Sequence, residues 1–138
     1  MRTVKDRFAL WQRLLIVRLL GMRKMGEVVS KWLFPKPNQK ELRKKFAGRW
    51  AENDPRSYLD SLRGMVGWSV SERLEQITCP VIAITADKDY TPIALKKAYV
   101  SKLPNAELVV IKDSRHGTPV DQPDAFNEVL HSFLKKHN

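Results

Sequence analysis

At 138 residues, 43% hydrophobic and 29% charged, the chain is long enough for one modest core, and its composition is that of a folded protein, not a disordered one. Its single cysteine, Cys79, excludes an intramolecular disulfide and a cysteine-built metal site, which suits a reducing compartment. The net charge of +10 is lopsided, with sixteen Lys+Arg against six Asp+Glu in residues 1–69 and nine of each in residues 70–138, as expected of a surface facing an anionic partner or of a solvated helical face.

From Val4 to about Leu20, Phe8, Trp11, Leu15 and Leu19 recur at helical spacing while Leu10, Leu14, Val17 and Leu20 fill the neighbouring faces, so the first predicted helix is apolar nearly all round and needs cover on more than one side. Arg13 and Arg18 interrupt the stretch, so it is neither a signal-peptide core nor a bilayer span, and the chain reads as soluble and cytoplasmic. A second helix is predicted from Met22 to Leu33, stopping before Pro35 and Pro37. Asn38, with Glu41 as its capping-box partner, starts a third through Leu42, Phe46 and Trp50. Asn53-Asp54-Pro55 ends that helix and opens a fourth through Tyr58, Leu59 and Leu62, and Ser69 to Gln76 reads as a last short helical piece.

At Ile77 the pattern changes. Cys79, a small residue expected to be buried, precedes Pro80-Val-Ile-Ala-Ile-Thr85, a β-branched run of the kind that forms a buried strand. A polar loop, a helix from Pro92 to Leu103, a strand Glu107–Ile111, a second polar loop and a helix from about Pro123 to Lys136 follow. This is the pattern of parallel βα units with short links; two strands alone leave a sheet with open edges.

Functional side chains of open parallel sheets gather in the loops that leave the carboxyl ends of the strands. Here those loops are Ala86-Asp-Lys-Asp-Tyr-Thr-Pro92, which offers carboxylates, and Lys112-Asp-Ser-Arg-His-Gly117, which offers His116. A carboxylate that orients an imidazole supplies two members of a nucleophile, base and acid triad.

From about Trp68 to Leu134 the chain resembles the C-terminal part of an α/β-hydrolase. The resemblance is carried by Trp68 to Pro80 leading into a strand, Asp89-Tyr-Thr-Pro92, Leu103-Pro-Asn-Ala106, and His116 ahead of Gln122-Pro-Asp-Ala-Phe126 and Phe133-Leu134. Asp89 matches the family's triad acid and His116 its general base; Asp87 competes for the acid role, and the Asp-x-x-Pro spacing favours Asp89. Residues 1–67 resemble the helical cap that the family inserts before its last strands, and residues 68–138 the end of its α/β core. Ala86 and Arg115 stand where the family often has Gly.

The family's nucleophile sits on a Gly-x-Ser-x-Gly elbow between a strand and a helix, with the oxyanion hole beside it. No such string occurs here. Gly67-Trp-Ser-Val-Ser71 comes nearest, but it lacks the last Gly, no β-branched run precedes it, and 20 positions between Ser69 and Asp89 leave no room for the intervening elements. Ser69 or Ser71 reads instead as a helix cap ahead of Glu72.

The resemblance implies the cap and last two strands of a hydrolase for a carboxylic ester or similar acyl compound, completed by an N-terminal half and inactive alone. It implies no metal and no organic cofactor. Trp11, Trp32, Trp50 and Trp68 are candidates for apolar pocket walls or plain packing, and His131 and His137 for solvated positions. Exposed apolar helix and open strand edges point to self-association. The alternative is a non-enzymatic module whose basic half meets nucleic acid, an anionic surface or a protein. No nucleic-acid-binding signature accompanies the charge, and phosphate contacts would show as steeply salt-dependent affinity.

Overall fold

The computed structural model describes residues 4–137, which divide between Ser69 and Val70 into two compact units. In the first, α1 (Val4–Leu33) is followed by α2 (Lys40–Ala51) and α3 (Pro55–Gly64). Within α1, Gly21 takes φ 77° and ψ 176°, a backbone state that residues with a Cβ rarely adopt, so the predicted boundary between Leu20 and Met22 is a break inside one element.

The core of this unit is Val17, Met22 and Met25, with Ile16, Val29, Trp50, Tyr58 and Leu59 packed against it. The approach of α2 to α1 is set at Gly26, where an added Cβ would lie 2.7 Å from Trp50 Cβ and 3.0 Å from the Ala47 carbonyl oxygen. Phe34, 1% exposed, continues the packing as an aromatic row, its ring 5.7 Å from Phe46, Phe46 5.1 Å from Trp50, and Trp50 6.0 Å from Tyr58. Arg43 Nη1 closes the turn between the helices by donating to the carbonyls of Phe34 (2.6 Å) and Lys36 (2.8 Å).

The predicted Asn38–Glu41 capping box is replaced. A single 3-10 turn, Pro37–Gln39, precedes α2, and the Gln39 side chain accepts from the Lys36 N–H at 2.9 Å, because two prolines hold the chain extended up to Lys36 and put Gln39 where a cap is needed. The start of α3 is as predicted: Asp54 accepts from Ser57 N–H at 2.8 Å with Pro55 at the first helical position. Among the described residues no helix is long and apolar enough to cross a membrane.

The second unit holds β1 (Val81–Ala86), α4 (Ile93–Val100), β2 (Ala106–Ile111), α5 (Thr118–Asp121) and α6 (Pro123–His137). The strands pair in parallel, Val81 opposite Ala106 through Ala86 opposite Ile111, in a sheet of these two strands among the described residues. Burial along both strands is deepest at the carboxyl ends, Thr85 and Ala86 in β1 and Ile111 in β2, and this is the end where the loops carry the polar residues.

Two expectations fail between the helical half and β1. Ser69–Gln76 is not a continuous helix but a turn followed by a 3-10 turn at Leu74–Gln76, after Gly67 (φ 78°) has already turned the chain and where the segment is too short to sustain a helix by itself. Cys79 is exposed, because it lies in the bend ahead of Pro80 and the strand begins only at Val81. The helix predicted to Leu103 stops at Val100 and continues as turns, and α5 is a short addition before Pro123.

Candidate active site

Two loops meet at the carboxyl end of the sheet and are stitched to each other. Asp87 N–H donates to the Ile111 carbonyl (3.0 Å), Lys88 N–H to the Ser114 carbonyl (3.1 Å), and the Asp87 carboxylate accepts from Ser114 N–H (3.2 Å). An exposed ion pair, Lys88 to Asp113 at 2.6 Å, crosses the same seam. Asp113 takes φ 53°, the left-handed turn conformation that Asp tolerates better than most residues. From the far side, Thr118 Oγ1 donates to the Arg115 carbonyl at 2.7 Å, and buried Ser114 and Thr118 bond through their hydroxyls at 3.3 Å.

The stitching brings Asp89 against His116, whose Nδ1 lies 3.2 Å from Asp89 Oδ2. The acid's side chain is 7% exposed and the imidazole 52%. Its other oxygen accepts from Thr91 N–H at 3.3 Å, a turn that leads into Pro92 and α4. Asp87, the competing acid, is spent on the loop seam and is not the carboxylate at the histidine.

Burial pushes the Asp89 carboxyl up, but hydrogen bonds from Lys96, His116 and Thr91 outweigh it and hold the group below the ordinary carboxylate range. An ionised carboxylate can only accept, so Nδ1 carries the proton toward Asp89 and the neutral ring presents a lone pair at Nε2. Tyr90 OH lies 3.2 Å from that Nε2, its ring centroid 4.5 Å from the imidazole's, and in this tautomer the phenol donates. The outward nitrogen is thus free for a base's task once Tyr90 yields to another hydroxyl.

The residue the sequence did not disclose is Lys96. Its ammonium donates to Asp89 Oδ2 at 2.6 Å and to Thr85 Oγ1, and its side chain is 9% exposed. The signal was present in the spacing: Ile93, Lys96 and Val100 are the inward positions of α4, while Leu95 and Tyr99 face water.

The remaining candidates separate. Around Ser69 the backbone is irregular from Trp68 to Val70 and a turn follows, so it lies on no strand-to-helix elbow. Trp50 is a packing residue, whereas Trp11, Trp32 and Trp68 are 56%, 40% and 68% exposed. His131 and His137 are exposed on α6, His137 against the Phe133 ring at 4.6 Å. A groove of about 560 Å³ between the sheet and α6, with Ile82, Val109, Val129 and Phe133 in its wall, includes neither Asp89 nor His116. No cluster of three or more His, Cys, Asp or Glu able to hold a metal occurs among the described residues.

No family model matches the chain. It is 32% identical over 74 residues to RutD of Caulobacter sp. (strain K31), which is assigned by name as a carbamate hydrolase; the match takes in 53% of this chain and 28% of that protein. The enol-lactonase from Burkholderia xenovorans LB400 aligns with a TM-score of 0.80 at 17% identity, over 90% of this chain and 49% of its own. The esterase EaEST from Exiguobacterium antarcticum aligns at 0.82 and 18% identity, over 92% and 47%. The chain therefore spans about half the length of these solved hydrolases, and at such identities the likeness is one of fold. With its helical segment followed by two parallel βα units, the chain has the fold of the C-terminal portion of an α/β-hydrolase.

Proposed function

We propose that this chain supplies the acid and the general base of a serine-type triad acting on a carboxylic ester or similar acyl compound, with the nucleophile and the oxyanion donors contributed by sequence N-terminal to residues 1–67. The observation that carries the reading is the contact of the buried, ionised Asp89 with His116 Nδ1 at 3.2 Å, which leaves Nε2 pointing outward at the carboxyl end of the sheet. In the reaction a serine hydroxyl gives its proton to His116 Nε2 as its oxygen attacks the acyl carbon. Asp89 balances the imidazolium, the proton passes to the leaving group, and water activated by the same nitrogen releases the acid. The name of the RutD relative extends the acyl class to carbamates, whose carbonyl is open to the same attack.

The test is to read the coding sequence upstream of Met1, express the joined protein if it holds a Gly-x-Ser-x-Gly string after a strand, and assay p-nitrophenyl esters. The joined protein turns over, and His116→Ala lowers kcat by about three to six orders of magnitude, as loss of a triad base does. The 138-residue chain alone stays at the uncatalysed rate. Turnover by the isolated chain that Ser69→Ala abolishes, or a joined enzyme indifferent to His116→Ala, defeats the proposal.

A further inference from the structure

Lys96 is a buried cation to which the acid–base pair assigns no task. A lysine that merely covers apolar surface keeps its ammonium in water. Here the head group is inside, on Asp89 Oδ2 and Thr85 Oγ1. That same Oδ2 is the oxygen His116 Nδ1 reaches, so one carboxylate oxygen answers two donors, and the nearer one is a full positive charge.

Resting on the reading of His116 as base, we propose that Lys96 is a positioning residue that offsets part of Asp89's charge, so that His116 remains an unprotonated base to lower pH than an Asp–His pair would allow. An anion beside an imidazole favours the imidazolium, and a cation on that anion opposes it. Lys96 also ties the carboxylate to α4, whereas His116 comes from the loop after β2.

The other groups around the pair do not take this role. Thr85 of β1 is uncharged, and Asp87 is bonded to Ser114 N–H. Lys88 and Asp113 pair at 2.6 Å, and the phenol of Tyr90 contacts Nε2. Arg115, next to His116 in the chain, contributes a constant charge across the range in which a histidine titrates.

The experiment follows the histidine C2 protons of the full 138-residue chain by NMR in dilute solution as pH is varied, with His131 and His137 as internal references and His116→Gln for assignment. In Lys96→Met and Lys96→Gln the His116 midpoint rises by roughly half a pH unit or more, while Lys96→Arg leaves it in place. Glutamine keeps a donor for Asp89, so it decides the question alone if the methionine variant does not fold. A folded neutral variant whose His116 midpoint is unmoved, or an equal rise in Lys96→Arg, overturns the proposal. No substrate or nucleophile is needed, so that result leaves the Asp89–His116 pairing standing; an unmoved His116 midpoint in Asp89→Asn would remove the pairing and the role of Lys96 with it.

Discussion

Asp89 is the residue on which charge, burial and geometry converge, and its ionisation is linked to folding. Its carboxyl is held below the ordinary carboxylate range in the folded chain, so the folded state prefers the ionised form. Its contribution to stability is complete above the unfolded value of about 3.9 and is lost as pH falls through the lower folded value. Unfolding by urea, followed by far-UV circular dichroism from about pH 6 down to about pH 3, is expected to show the chain losing stability on acidification. Asp89→Asn lowers stability at neutral pH, because Lys96 is left as an uncompensated buried charge, and the gap to the parent narrows in acid. Parallel profiles for the two proteins would rule this out. At this scale the two residues that meet, Asp89 and His116, were legible as candidates from Asp-x-x-Pro and a histidine in a loop before a helix. The choice between Asp87 and Asp89 rested on a spacing rule, whereas the physical reason is that the Asp87 carboxylate is occupied by Ser114 N–H. Lys96 was read past because two lysines side by side look like a solvated pair until the inward face of α4 is known.

At the scale of elements, period and punctuation determined most boundaries. Helix periodicity gave way to β-branched runs where β1 begins, and Asp54-Pro55 started α3 as its capping chemistry requires. What failed were the weak segments, the stretch ahead of β1 and the cap of α2, where a local signal of small free energy met a backbone already directed by Gly67 or by Pro35 and Pro37. The closest contact between elements, at Gly26, yields a direct prediction. Gly26→Ala places a methyl 2.7 Å from Trp50 Cβ, so the intrinsic helix gain of Ala is overridden and the helical unit is destabilised by about 1–3 kcal/mol, readable as a lower urea midpoint in Trp fluorescence. An unchanged or raised midpoint would mean that α2 moves away from α1 at no cost.

For the whole molecule, the lopsided charge falls in the same part of the sequence as a run of exposed apolar side chains along α1. Leu19 and Leu20 are 70% and 60% exposed, and Phe8, Trp11 and Leu15 are also exposed along α1, as an all-round apolar helix requires when its cover is incomplete. Each of the two strands also has one neighbour only among the described residues, which leaves an unpaired edge on each side. The isolated chain is expected to self-associate as concentration rises, seen by light scattering after size exclusion. Leu19→Glu combined with Leu20→Lys is expected to shift it toward monomer. A monomer at every accessible concentration would show that these surfaces are not adhesive.

From sequence alone came most of the element order, the parallel βα pattern and the candidates Asp89 and His116, with Asp87 as a competitor, because periodicity, glycine and proline act locally and because chemistry in an open sheet collects at strand ends. Only the tertiary structure decided which aspartate meets the imidazole, which way its proton-accepting nitrogen faces, and that a lysine seven residues along the chain shares the same carboxylate oxygen. Those outcomes depend on Asp87, Lys88 and Ser114 bonding across a gap of more than twenty residues, and no local rule reads contacts made at that separation.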